Sequence, residues 1–295
     1  MLVIFNPTAG RRRTAHLWRV LDLLLENGVA VEVAETTHAG HAVALARAAA
    51  MAGEPMVVAA GGDGTIAEVA NGLIGGRTQL GVIPLGTANV LAREYRLPFG
   101  PRGIAHALAY QRTRPLWPGV AALDDGREHV FVQMLGLGFD GAVVRGLKRG
   151  LKRVIGRGAY VWQSLWESVA YGFAPMTVEI DGQTHEAASV VVSKGRLYGG
   201  PFLLAPQARP GEPGFWVALF ERPGTLPALA AGAALPLGLL PSLPGVRLLP
   251  AREVRFGAGF IPPAQADGDA LRPGVRAVRN AARPISLIVS EAGPP

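Results

Sequence analysis

The sequence predicts an α/β domain with a parallel sheet, followed by a mainly antiparallel β-sandwich domain. Two observations predict this. Through about residue 115, short apolar runs alternate with helix-like segments in a β-α-β-α order. Beyond that point short β-rich runs dominate, punctuated by Asp-Gly pairs suited to hairpin turns. The chain has 295 residues, of which 49% are apolar, enough for two cores. The expected domains are therefore residues 1–115 and 116–295.

The first domain reads element by element. Leu2–Phe5 is a buried strand, and Thr14 opens a helix that runs to Asn27 and stops at Gly28. Val29–Ala34 is a strand and His41–Ala52 a helix. Met56–Ala60 is a strand leading into Gly61-Gly62-Asp63-Gly64-Thr65, with a helix from Ile66 to Leu73. Leu80–Ile83 is a strand, followed by Pro84-Leu85-Gly86-Thr87 and a helix through Glu94. In a parallel sheet of this kind ligands bind beyond the carboxyl ends of the strands. Asn6-Pro7-Thr8, Thr36, the glycine loop and Gly86-Thr87 all follow strands, so they should meet along one edge.

The second domain shows hairpin signals at Asp124-Asp125-Gly126, Asp181-Gly182 and Asp267-Gly268. A strand is expected at Phe131–Leu135 and helical material around Tyr160–Val169. The last strand, Ile285–Val289, can belong to either domain. Thr225 to Leu249 is apolar except for Arg247, but Pro227, Pro236, Pro241 and Pro244 divide it. A buried helix plus an extended linker is expected there rather than a membrane span.

Composition narrows the chemistry. Cysteine is absent, which excludes disulfides, thiolate metal sites and a cysteine nucleophile, and fits a cytoplasmic protein. The net charge is +7 and the pI about 10.3, carried mostly by arginine. Such a surface suits anionic partners. No Walker A loop, Gly-x-Ser-x-Gly elbow or His-Glu-x-x-His zinc motif occurs. Gly62-x-Gly64-x-x-Ala67 and Gly136-x-Gly138-x-x-Gly141 match the dinucleotide fingerprint only loosely. His38 and His41 lack metal-spaced partners and read as polar loop and helix-start residues.

The glycine loop carries the sharpest signal. Glycines let backbone N–H groups approach a bulky anion, and the helix start adds its own unpaired donors. Asp63 within that loop would repel phosphate unless Mg²⁺ or a substrate hydroxyl stands between them. The loop therefore points to phosphoryl transfer. Asp267-Gly268-Asp269 reads as a hairpin turn, and a carboxylate there could also take a proton from an acceptor.

The order of motifs then resembles a known family. Asn6-Pro7-Thr8-Ala9-Gly10 is followed by Gly61 to Thr65 and by Pro84-Leu85-Gly86-Thr87-Ala88-Asn89-Val90-Leu91-Ala92-Arg93. Then come Gly136-Leu137-Gly138-Phe139-Asp140-Gly141, Ala205-Pro206-Gln207-Ala208 and Asp267-Gly268-Asp269. Over nearly its whole length the chain resembles the diacylglycerol kinase catalytic-domain family, which includes bacterial soluble lipid kinases and sphingosine kinases.

The resemblance implies an ATP-dependent lipid kinase acting on the hydroxyl of a diacylglycerol- or sphingoid-like lipid. ATP, with its Mg²⁺, is implied to lie between a nucleotide-binding α/β domain and the sandwich. The ATP-contacting positions are Asn6, Pro7, Thr8, Gly10, Thr36, Gly61, Gly62, Asp63, Gly64, Thr65, Gly86, Thr87 and Asn89. Asp63, Asp267 and Asp269 are the implied catalytic residues. Asp63 would organise metal or hydroxyl; the other two match a motif that ends in glutamate elsewhere in the family and supplies the general base. Metal ligands are not assigned.

Val90, Trp117 and Pro213 stand where many bacterial relatives carry acidic residues, so a second, structural Mg²⁺ is not expected. These departures keep open a catalytically weak nucleotide- or lipid-binding relative, alongside a kinase of a soluble alcohol such as NAD. Arg145, Lys148, Arg149, Lys152, Arg153 and Arg157 form a basic cluster that suits either an anionic membrane surface or plain solvent. Trp162 and Trp166 are core residues or part of a lipid pocket. Nucleic acid is not an expected partner. The oligomeric state is not legible in the sequence.

Overall fold

The computed structural model describes residues 1–8, 14–146, 172–257, 262–271 and 274–290. The expected helix at Tyr160–Val169, with Trp162 and Trp166, lies outside these residues, as does the basic cluster apart from Arg145.

The chain forms two compact units. The first comprises Met1–Pro118, Pro210–Glu212 and the chain from Ala281 onward; the second comprises Gly119–Arg209 and Pro213–Asn280.

The first unit contains β1 (Leu2–Phe5), α1 (Thr14–Glu26), β2 (Glu32–Glu35), α2 (His41–Met51) and β3 (Met56–Gly61). It continues with α3 (Asp63–Leu73), β4 (Gln79–Pro84), α4 (Val90–Glu94), α5 (Pro101–Tyr110) and β5 (Thr113–Leu116). The sheet order is β2-β1-β3-β4-β20-β5, with β20 at Ile285–Ile288. β20 runs parallel to β4 and antiparallel to β5, so the last strand belongs to this sheet.

The core explains these elements. β3 is buried at all six positions, as its apolar run requires. Leu17, Val20, Leu21 and Leu24 of α1 join Ile104 and Leu108 of α5 against Val3, Phe5, Met56, Val58 and Ile288. The other face is covered by α2 and α3, which approach closely because their contact is built from small residues. A Cβ on Gly72 would lie 2.6 Å from the Cβ of Ala46 and from the carbonyl of Val43. α2 buries only Ala42, Ala46 and Ala49.

Several boundaries differ from the sequence reading. α3 begins at Asp63 rather than Ile66, so three of the five residues of the expected loop lie in the first helical turn. β2 begins at Glu32 rather than Val29. α5, opened by Gly100 and Pro101, was not anticipated.

The second unit contains β6 (Gly119–Leu123), β7 (Glu128–Phe131), β8 (Met134–Gly138), α6 (Phe139–Gly146), β9 (Met176–Ile180) and β10 (Gln183–Ala187). There follow β11 (Ser189–Ser193), β12 (Leu197–Tyr198), β13 (Phe202–Leu203), β14 (Phe215–Phe220) and β15 (Val246–Ala251). The remaining strands are β16 (Glu253–Phe256), β17 (Ala264–Ala266), β18 (Asp269–Leu271) and β19 (Val275–Asn280).

Two six-stranded antiparallel sheets, β10-β9-β16-β19-β6-β7 and β15-β14-β11-β8-β17-β18, enclose one core. Val178, Ile180, Val254 and Val278 of the first sheet meet Leu135, Leu137, Val190, Val192, Val217 and Leu219 of the second. This is the expected sandwich. The Asp-Gly turns fall where the sequence places them: Asp181 and Gly182 have φ of 47° and 84°, and Asp267 and Gly268 have 48° and 88°.

Two expectations for this unit are corrected. No single strand spans Phe131–Leu135; β7 ends at Phe131 and β8 starts at Met134, because Val132 to Met134 are held by a side chain described below. The helix in Thr225–Leu249, at Thr225–Ala234, is not buried: Ala234 is its one buried residue. Its apolar surface is turned outward, so the absence of polar positions did not signal a core helix. No helix among the described residues is long and apolar enough to cross a membrane.

Candidate active site

The carboxyl edge of the first sheet gathers the ends of β1, β3 and β4. Gly62, in extended conformation, is the N-cap of α3 and has no side chain to cap the amides that follow. Those amides at Asp63 and Gly64 are the donors a helix start leaves without an internal acceptor. Gly61 is required by its neighbour, since a Cβ there would lie 2.4 Å from Thr65 Oγ1. Asn6 Nδ2 donates to that same Oγ1 at 3.1 Å. Asn6 Oδ1 in turn accepts from the Thr8 amide at 3.0 Å and the Thr8 hydroxyl at 2.8 Å. One asparagine thus ties the end of β1 to the first turn of α3.

The β4 end approaches from the other side. A Cβ on Gly86 would lie 2.6 Å from Gly62 Cα, so both loops need glycine for backbone to meet backbone. Asn89, itself left-handed at φ 48°, holds the Gly86 loop, with Nδ2 donating to the Gly86 carbonyl at 2.8 Å. Its Oδ1 is buried without a hydrogen-bond partner.

Thr36 is tied to the edge through its amide, which donates to Phe5 O at 2.8 Å. Thr87 and Thr8 are exposed, and Pro7 and Gly64 half-buried. Gly10 lies outside the described residues.

Asp63 is the surprise of this edge. Its Oδ1 accepts from the Leu91 amide at 3.3 Å. Burial pushes its carboxyl above the usual range, and the amides of Leu91, Val90 and Asn89 at the start of α4 work against that shift. Asp63 therefore already ties α3 to α4. Sequence reasoning also passed over Glu68, which caps α2: Oε1 accepts from Gly40 N at 2.9 Å and Oε2 from Ala42 N at 3.2 Å. His41 begins α2 and its ring stacks on His38 at 4.9 Å.

In the second unit, Asp267 and Gly268 form the turn joining β17 to β18. The Asp267 carboxylate accepts three backbone N–H groups: Val132 at 2.7 Å, Gln133 at 2.9 Å and Met134 at 2.9 Å. It is the clamp that divides β7 from β8. Asp269, two residues on, is exposed at the start of β18. Burial holds His129 of β7 below the usual imidazole range, and the charge of Asp269 opposes that shift.

Residues 1–120 match the diacylglycerol kinase catalytic domain, and residues 133–290 match the YegS C-terminal NAD kinase beta sandwich-like domain. The chain belongs to the diacylglycerol kinase catalytic-domain family.

It is 34% identical over 218 residues to a probable lipid kinase YegS-like of Pseudomonas aeruginosa, covering 70% of this chain and 69% of the relative. It is 44% identical over 99 residues to a diacylglycerol kinase of Bacillus subtilis, covering 32% of this chain and 33% of that one. A solved diacylglycerol kinase structure from Bacillus anthracis str. Sterne shares the fold with a TM-score of 0.70 at 18% identity, over 99% of this chain and 97% of that chain.

The positions where this lipid kinase family member lacks expected acids are filled by structure. Val90 is buried. The Trp117 indole N–H donates to Ala281 O at 2.8 Å. Beside Pro213, the Gly214 carbonyl accepts from Lys194 Nζ at 2.7 Å, and Nζ also reaches Asn280 Oδ1 at 3.2 Å. Lys194 Nζ lies 4.9 Å from the centre of the Phe215 ring. Burial pushes the Lys194 ammonium down to about 7. Sequence reasoning could not find this buried cation, because its acceptors lie 20 and 86 residues away. Among the described residues, no three or more His, Asp or Glu side chains are grouped to hold a metal ion.

Proposed function

We propose that the chain transfers the γ-phosphoryl group of ATP to the hydroxyl of a diacylglycerol- or sphingoid-like lipid. The observation that carries this reading is the edge where Gly62 and Gly86 meet backbone to backbone beside the uncapped start of α3. A phosphate group fits there because the donors are main-chain amides and no Cβ stands in the way. ATP would be held by Asn6, Thr8, Thr36, Gly61 to Thr65, Gly86 and Thr87, with Asn89 shaping the Gly86 loop. It supplies the phosphoryl group, together with Mg²⁺ to neutralise the charge.

The chain's own residues have distinct tasks. The amides of Asp63 and Gly64 orient the transferable phosphate. Asp269 takes the proton from the acceptor hydroxyl as its oxygen bonds to phosphorus and the bond from phosphorus to the bridging oxygen of the nucleotide breaks. Exposure of Asp269 leaves it accessible to an acceptor. Asp267, with both oxygens engaged, positions the turn. Asp63 orders the α3–α4 junction, and its carboxylate would help hold the Mg²⁺ that comes with the nucleotide.

The lipid must be reached at a bilayer. Leu226, Leu237 and Leu239 are 79%, 70% and 56% exposed, and no charged residue occurs between Arg222 and Arg247. This apolar segment supports contact with the acyl boundary of a membrane. Transfer from ATP to dioleoylglycerol and to sphingosine in detergent micelles tests the reading. Wild-type protein should phosphorylate one of them, and Asp269→Asn should lose transfer while keeping its fold. Full transfer by Asp269→Asn removes it from the mechanism.

A further inference from the structure

A buried carboxyl group is linked by hydrogen bonds to the Asp267–Asp269 turn. Asp140, in the first turn of α6, is buried, as is Gln265 of β17. The Tyr198 hydroxyl donates to Asp140 Oδ1. Gln265 Nε2 donates to Asp140 Oδ2 at 2.7 Å. The other end of the same amide, Gln265 Oε1, accepts from the Gly268 N–H at 2.8 Å. The amide has one orientation that satisfies both contacts: nitrogen toward the carboxylate and oxygen toward the turn.

The chain makes room for this arrangement. A Cβ on Gly136 would lie 1.6 Å from Asp140 Oδ2 and 3.0 Å from Gln265 Nε2. A Cβ on Gly141 would lie 2.2 Å from the Pro263 carbonyl, so α6 rests directly on the segment entering β17. Burial pushes the Asp140 carboxyl up, and the bonds from Tyr198 and Gln265 oppose it. An apolar pair would satisfy packing without that cost, so fold stability alone gives no reason for an acid here.

We propose that Asp140 and Gln265 form a positioning relay that fixes the Gly268 peptide and so aims Asp269. The inference rests on the reading of Asp269 as proton acceptor. The turn is gripped from two sides. Asp267 binds the backbone of residues 132–134, and Gln265 binds the Gly268 amide in the orientation that Asp140 imposes. Neither Asp140 nor Gln265 touches a reacting atom.

An exchange of the two side-chain types tests the relay. In Gln265→Glu, the introduced carboxylate faces Asp140, and with Tyr198 the other titratable group bonded there among the described residues, the two acids need a shared proton. In the double variant Asp140→Asn/Gln265→Glu, the introduced amide donates to the introduced carboxylate. That carboxylate still accepts from Gly268, and Tyr198 keeps its acceptor.

The assay is phosphoryl transfer from ATP to a micellar total lipid extract by the full chain, read as kcat and ATP KM against pH. Gln265→Glu should lower kcat at least about tenfold, more so as pH rises, with ATP KM unchanged. The double variant should return kcat to within about threefold of wild type, with its pH profile. A wild-type kcat and pH profile in Gln265→Glu overturns the relay, as does a double variant no better than the single one. If Gln265→Glu does not fold, the double variant decides alone: near wild-type kcat supports the relay and loss of transfer overturns it. Asp269→Asn runs beside them. Transfer by that variant overturns the proton-acceptor reading itself, whatever the exchange shows.

Discussion

Asp267 and Asp269 stand two residues apart and should fail in opposite ways. Asp267→Asn is the informative change, because asparagine tolerates the left-handed backbone at φ 48° as well as aspartate does. Backbone strain is therefore held constant. The amide keeps one oxygen, which can retain the Gln133 and Met134 donors at 2.9 Å, and turns NH₂ toward the Val132 donor at 2.7 Å. Losing a hydrogen bond to a charged group costs about 1.5–3 kcal/mol.

Two compact units need not unfold together, so the local readout is hydrogen exchange at the amides of 132–134, beside the urea midpoint. Exchange should quicken roughly 10- to 100-fold at Val132, since each 1.4 kcal/mol is about tenfold. Asp269→Asn, at an exposed position, should stay within about 0.5 kcal/mol of wild type and lose transfer. Equal protection at Val132 in Asp267→Asn and wild type would refute the clamp. So would an equal loss of protection in Asp269→Asn.

Other consequences follow from the same geometry. Gly86→Ala drives a Cβ to 2.6 Å from Gly62 Cα, where only backbone can yield. It should cost about 1–3 kcal/mol in urea denaturation and raise the KM for ATP more than it lowers kcat. Lys194 carries a folded pKa of about 7 against 10.5 for the free side chain. Between those values the unfolded chain holds a proton the folded chain lacks, so wild-type stability should rise with pH across that window. Lys194→Met should lose that rise, a difference of a few kcal/mol on the order of 1.4 per pH unit, measured by urea midpoints at pH 6.5 and 9.5. Leu226→Ser/Leu237→Ser should weaken sedimentation with phosphatidylglycerol vesicles severalfold while leaving the urea midpoint within about 0.5 kcal/mol, because both side chains are exposed.

What the sequence disclosed depended on how local the cause was. Met56 to Gly61 announced a buried strand because every residue in it is apolar or glycine. The Asp-Gly turns were legible because positive φ at consecutive residues restricts the residue types that fit. The first turn of α3 was missed because Asp63, Gly64 and Thr65 are poor helix formers; a buried Thr65 bonded to Asn6 outweighs that preference. The helix at Thr225–Ala234 misled because an apolar helix reads alike whether its surface is buried in a core or left exposed.

Within the candidate site, the chemistry-bearing residues were visible as motifs and their partners were not. Asp267 binds residues more than a hundred positions upstream, and Gln265 meets Asp140 125 positions away. Pairings of that kind are made by strand order, with β8 lying between β11 and β17. No periodicity in a single chain encodes them.

The most direct test of the lipid kinase reading is transfer of label from γ-³²P-ATP, with Mg²⁺, to a mixture of total lipid extract and NAD. The account predicts label in the organic phase as a lipid phosphomonoester, and none with Asp269→Asn. Label in a water-soluble phosphorylated dinucleotide, or ATP bound with no label transferred, would contradict it.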